Sequence, residues 1–183
     1  MSIHPASGLR RACALAAAAV MGLSLLAAGA AQAQAQAQRV QTPYAKPKVI
    51  FDMYLDHPDK MATALYWVRS FVNPLTEAPY SLFDEDMKIV VLLHGTELVT
   101  VARKNEARYA EVVQRMRYYA ERGVKFRVCG LALADYGYTA EELQPFIEVA
   151  PSAMTELVHW QNQGYALVTP QVVDKKLSIE AIR

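Results

Sequence analysis

Met87-Lys88-Ile89-Val90-Val91-Leu92-Leu93-His94 decides how the chain folds. Its hydrophobicity is nearly continuous instead of alternating, the mark of a strand covered on both faces, which is the environment of a parallel sheet between helices. On its N-terminal side, a polar, proline-containing connector (74–86) precedes it. Before that, Met61, Leu65, Val68 and Phe71 or Val72 recur at helical spacing until Asn73-Pro74, where the pattern should stop. Asp56 and Pro58 supply the chemistry that starts this helix, with Asp59 in its first turn, and Val49-Ile50-Phe51-Asp52-Met53 is a short apolar run of strand length.

On its C-terminal side, His94-Gly95 closes the stretch, and after a loop Asn105 is placed to cap a helix. The apolar stripe of that helix is Tyr109, Val112, Val113, Met116, Tyr119 and Ala120, with Glu111 and Arg115 paired four apart and Gly123 as the C-terminal glycine. Lys125-Phe126-Arg127-Val128-Cys129-Gly130 then reads as a strand running out into a turn. It is followed by a short helix over 131–135, a turn at Tyr136-Gly137-Tyr138 and a capping box in Thr139-Ala140-Glu141-Glu142. A brief strand at Phe146-Ile147-Glu148-Val149, a helix capped by Ser152 and running to Gln163, and a last strand at Tyr165-Ala166-Leu167-Val168-Thr169 complete the order. Strands and helices alternate, so short right-handed crossovers predict an α/β domain whose parallel sheet has helices on both faces.

The first 37 residues read as something else. Arg10-Arg11 precedes an uncharged run of mostly alanine over 12–31, and the alanine-glutamine repeat after it offers small-x-small sites ending at Ala33, Ala35 or Ala37. A basic region, an apolar region and small exit residues make a secretory signal, and alanine is too weakly hydrophobic for a stable membrane anchor. The residues after the arginine pair favour the general secretory route over twin-arginine export. Cys13, at the start of the apolar run, leaves with the signal. Without the two arginines the formal +1 becomes −1, so nothing marks a nucleic-acid binder or a partner of anionic membranes. Residues 38–47 then form a lead-in, 48–170 a single domain and 171–183 a tail. About 145 residues suffice for a core burying roughly two-thirds of the unfolded surface.

The exported chain keeps one thiol, Cys129, hence no internal disulfide. Ligands of open parallel sheets bind beyond the carboxyl ends of the strands, and Asp52, His94 and Cys129 all fall at such ends. A helix starting at Cys129 would favour thiolate over thiol; equally, a free cysteine is at home in a core. His94 could exchange a proton with that thiol, or its ring could simply be held by a loop carbonyl. Tyr136 and Tyr138 are candidates for walling a pocket, along with Gly95, Gly130 and Asp52. Trp67, Tyr109, Tyr119 and Trp160 read as core or interface. His57 and His159 add no metal-ligand spacing, and Tyr54 stands where a phosphotransfer site around Asp52 would want a carboxylate, so no metal is expected. Nucleotide-binding and hydrolase-elbow motifs are missing, no cofactor is expected, and a dithiol mechanism needs a second cysteine near Cys129.

Four segments in order, Val90-Val91-Leu92-Leu93-His94-Gly95-Thr96-Glu97-Leu98, Gly123-Val124-Lys125-Phe126-Arg127-Val128-Cys129-Gly130, Val149-Ala150-Pro151-Ser152-Ala153-Met154-Thr155-Glu156-Leu157 and Gln161-Asn162-Gln163-Gly164-Tyr165-Ala166, resemble the exported branch of the DsrE/DsrF-like family. The resemblance covers 48–170. It implies a three-layer α/β/α sandwich with a five-stranded, mostly parallel sheet, assembled as a trimer or hexamer. It also implies a sulfur (persulfide) carrier or sulfurtransferase-like relay component using Cys129, whose partners would be sulfur donor and acceptor proteins or small sulfur compounds. Export argues against a transfer-RNA role. Two other readings stand beside this one: a non-catalytic small-ligand-binding or assembly module with a structural cysteine, and a thiol redox sensor.

Overall fold

A computed structural model describes residues 36–183. The chain divides into two units, Met1–Thr42 and Pro43–Arg183. In the first, the described residues 36–42 form no helix or strand, and the expected signal segment lies outside the described residues. No described helix is long and apolar enough to cross a membrane.

The second unit carries five strands: β1 (Lys48–Met53), β2 (Lys88–Leu93), β3 (Lys125–Cys129), β4 (Ile147–Ala150) and β5 (Ala166–Val168). Their order across the sheet is β4-β3-β2-β1-β5, and all four pairings are parallel. The helices are α1 (Met61–Thr76), α2 (Ala110–Glu121), α3 (Gly130–Asp135), α4 (Ala153–Asn162) and α5 (Ile179–Ile182).

The two-residue period of a strand sorts the core into layers. Val49, Phe51 and Met53 of β1, Ile89, Val91 and Leu93 of β2, and Phe126 and Val128 of β3 pack with Met61, Leu65 and Val68 of α1 and Val113 and Met116 of α2. The intervening residues Ile50, Val90, Leu92 and Cys129 face the other way, against Ala153, Leu157 and Trp160 of α4. The result is the α/β/α sandwich, with the larger core on the α1/α2 side. Tyr109 and Tyr119 belong to that core, Trp160 packs on the α4 side, and Trp67 is exposed.

Several local expectations hold in detail. Gly123 has φ +88°, and the N–H groups of Gly123 and Val124 bond to the carbonyls of Ala120 and Tyr119, the pattern by which a C-terminal glycine satisfies a helix end. Ser152 accepts the Thr155 N–H as the cap of α4. Thr139 N–H donates to Glu142 in the expected box, which opens a 3₁₀ turn, Ala140–Glu142.

Three expectations are corrected. α1 does not stop at Asn73-Pro74 but carries Pro74 inside it to Thr76; the missing proline N–H costs one bond in the final turn, where burial of Leu75 still holds the helix to the core. Asn105 is not the cap of α2, which begins after Tyr109; its amide donates to the Val99 carbonyl and the Tyr138 hydroxyl, clipping two loops together. The first turn after β1 is capped by His57, whose Nδ1 accepts the Asp59 N–H, while Asp56 pairs with Lys60 at 2.9 Å.

Candidate functional site

Three strand ends meet on one edge of the sheet. Asp52 pairs with Leu92 and Leu92 with Arg127, so these side chains share a face; two residues further on, His94 and Cys129 share it too. Asp52, His94 and Cys129 therefore stand on three adjacent strands, on the α4 side.

The structure joins two of them directly. Asp52 Oδ1 lies 2.7 Å from His94 Nε2, and Asp52 Oδ2 accepts from the Thr169 hydroxyl at 3.5 Å. A carboxylate only accepts, so Nε2 carries the proton of this bond. Nδ1 has no hydrogen-bond partner among the described residues and is the nitrogen left to give or take a proton. Tyr54 stacks on the imidazole with ring centroids 4.9 Å apart and planes 25° from parallel. That stack was not legible in the sequence, where Tyr54 figured only as a missing carboxylate.

A cavity of about 570 Å³ opens over this pair. Its walls come from the end of β1 and the loops after β1, β2 and β5, namely Asp52 and Tyr54, His94 and Gly95, and Thr169 with the first residues of the tail, Gln171 to Val173, and from Tyr136 at the end of α3. β1 lies between β2, which follows it through α1, and β5, which returns through α4. Connections leave this point in opposite directions, and a crevice is expected where they part.

Glu97 is the residue that sequence reasoning missed. The expected loop after His94-Gly95 contains a 3₁₀ helix, Thr96–Val101, and Glu97 within it is fully buried. Its Oε1 accepts the N–H groups of His94 and Gly95, each at 2.8 Å, and its Oε2 accepts that of Leu55 at 2.9 Å. Burial raises its pKa above the ordinary carboxylate value, and the three amides oppose that rise. The only available signal was one acidic residue inside the apolar run Leu98-Val99 and Val101 that follows Gly95.

Cys129 sits apart from the cavity and does not line it. It is 6% exposed and packs with Ile50, Val90, Leu92 and Ala153. It is also the N-cap of α3, with Sγ accepting the Ala132 N–H at 3.5 Å. His94 and Cys129 are thus neighbours in register, each side chain bonded elsewhere. Two expected pocket residues are corrected. Gly130 lets β4 approach, since a Cβ there would lie 2.9 Å from the Ala150 carbonyl oxygen. Tyr138 is turned away from the cavity: its hydroxyl accepts from Asn105 and its ring lies 4.4 Å from the Lys104 ammonium. Among the described residues, no three His, Cys, Asp or Glu side chains gather as a metal site would require.

The sequence matches the model of the DsrE/DsrF-like family over residues 48–170. Among solved structures, the chain is similar to a protein of unknown function from Methanobacterium thermoautotrophicum, with a TM-score of 0.54 and 21% identity, over 68% of this chain and 99% of the other. At that identity the likeness concerns the fold. No curated protein matches by sequence.

Proposed function

Because the chain belongs to the DsrE/DsrF-like family, which is associated in general with sulfur relay, we propose that it is a periplasmic sulfur carrier that holds a persulfide on Cys129. The observation that carries the reading is that Cys129, the one cysteine among the described residues, ends β3 and caps α3, its Sγ accepting the Ala132 N–H at 3.5 Å. The Cys129 thiolate attacks the outer sulfur of a donor persulfide. One S–S bond forms at Sγ, the S–S bond of the donor breaks, and the donor leaves as a thiolate, so sulfur moves without net oxidation. His94, through Nδ1, takes the proton of the resting thiol and returns it to the leaving thiolate, while Asp52 holds the ring from the other side.

The test is incubation with a persulfide donor followed by intact mass. One sulfur, removable by reductant, should add to the wild type and not to Cys129→Ser. Export rests on the arginine pair and the apolar run after it, and N-terminal sequencing of periplasmic protein should find a start between residues 34 and 38. Recovery of the intact chain in membranes would refute that part. Donor and acceptor are sulfur-bearing proteins or small sulfur compounds.

A second reading is favoured by one observation, that Cys129 is packed among apolar side chains outside the cavity. In it the domain is a small-ligand-binding module, the ligand seated over Asp52 and His94, and Cys129 is a core residue. A thiol that resists alkylation until the protein unfolds would select this reading.

A further inference from the structure

Glu97 is a buried carboxylate with no cation beside it among the described residues; its partners are three backbone N–H groups. A charged group withdrawn from water is costly unless hydrogen bonds compensate it, and three amides converging on one side chain fix its geometry closely. The division of labour between its oxygens is informative. Oε1 takes the two consecutive N–H groups of His94 and Gly95 at the end of β2, and Oε2 takes the N–H of Leu55 beyond the end of β1. One side chain therefore ties together the chain just beyond β1, which carries Asp52, and the end of β2, which leads into His94, and the Leu55 link follows directly on Tyr54, which stacks on the ring.

Two further features belong to the same arrangement. The Thr96 hydroxyl donates to the Leu55 carbonyl, so the β1 loop is held through both its N–H and its C=O. Gly95 has no room for a side chain: a Cβ would lie 2.5 Å from Glu97 Oε2 and 2.5 Å from the Leu55 nitrogen. The glycine after His94 is what lets the carboxylate come this close.

We propose that Glu97 is a positioning residue for the proton-handling pair: by bridging the loops after β1 and β2 it holds the His94 ring with Nε2 on Asp52 and Nδ1 free. It acts through His94 and touches no substrate. The inference rests on the proposed use of His94, but its test does not involve sulfur transfer.

The experiment compares the exported chain with Glu97→Gln and Glu156→Gln, each labelled with ¹⁵N-histidine. The His94 resonances are identified by their loss in His94→Ala. Glutamine keeps the volume of Glu97 but turns one acceptor into an NH₂ group facing N–H donors. In the wild type, His94 should show a single tautomer with the proton on Nε2. In Glu97→Gln it should average between tautomers, and the amides of Leu55, His94 and Gly95 should lose protection from hydrogen exchange together, by about tenfold or more. Glu156, a buried carboxylate of α4 that pairs with Arg127 of β3 and accepts from Trp160 one turn on, controls for loss of stability alone, and Glu156→Gln should leave the His94 spectrum unchanged.

A folded Glu97→Gln protein with an unaltered His94 ring overturns the proposal, as does the same spectral change in Glu156→Gln. If Glu97→Gln does not fold, the wild type decides: a fixed tautomer with a protected Leu55 amide, whose acceptor is Glu97, supports the proposal, and a freely exchanging Leu55 amide or an averaged ring overturns it. Should Cys129→Ser accept sulfur as well as the wild type, the carrier reading fails while these signals still report on Glu97.

Discussion

Replacing Leu133 with Ala should make Cys129 easier to reach without unfolding the domain. Cys129 caps α3, and Leu133 is the one buried residue in that helix. Six residues are too few for a helix to persist unaided, so the closed state of α3 depends on burying Leu133. The truncation removes three carbons at about 0.8 kcal/mol each, and the edge of the core can relax around so small a void. The closed state therefore loses about 2–3 kcal/mol. At 1.4 kcal/mol per factor of ten, local opening becomes roughly 30- to 150-fold more frequent. The assay is iodoacetamide labelling at neutral pH, read by intact mass, in increasing low urea. If labelling goes through opening of α3, its rate should rise by that factor in Leu133→Ala and depend little on urea, because a local opening exposes little surface. Equal rates in the two proteins would refute this route of access. A rate rising with urea as steeply as global unfolding would refute it as well, and with it the carrier mechanism.

Three further outcomes are expected. His94→Ala should slow persulfide uptake by about 100-fold or more with an unchanged circular dichroism spectrum; an unaltered rate would make the histidine purely structural. For Glu97, burial lifts the folded pKa above its ordinary 4.5, so the native state binds more protons than the unfolded one. Its contribution to stability should then fall as pH rises from about 4.5 through the raised value and level off above it, and urea midpoints of the wild type relative to Glu97→Gln that rise over this range would contradict the assignment. Finally, α4 exposes Met154 and Val158, with Leu131 and Val149 also uncovered, an apolar surface of the kind that closed oligomers bury. Light scattering of the exported chain should find a multimer that Val158→Glu weakens, and a wild-type monomer at micromolar concentration would count against it.

The layering of this protein was legible in residue order alone, because it follows from short-range rules. The unbroken apolar run of β2 requires cover on two faces, and the stripe from Tyr109 to Tyr119 makes one side of α2 apolar. Gly123 and Ser152 mark helix ends by chemistry acting within a few residues. Even the candidate residues Asp52, His94 and Cys129 could be named, since each ends a recognisable strand. Which of them meet could not be read, because that depends on strand order. β1 lies between β2 and β5, and only this brings Asp52 to His94, 42 positions away, and Thr169 to Asp52, 117 positions away. The same holds where local reading went astray: Asn105 has the chemistry of a helix cap but finds Tyr138, 33 positions on. Glu97 has the composition of an ordinary surface residue, yet it is drawn inside by amides from two strand ends. Hydrophobic period and capping act along the chain and are written in it, whereas a buried polar group takes whatever donors the packed sheet brings within about 3 Å, and the sheet decides that only once it has formed.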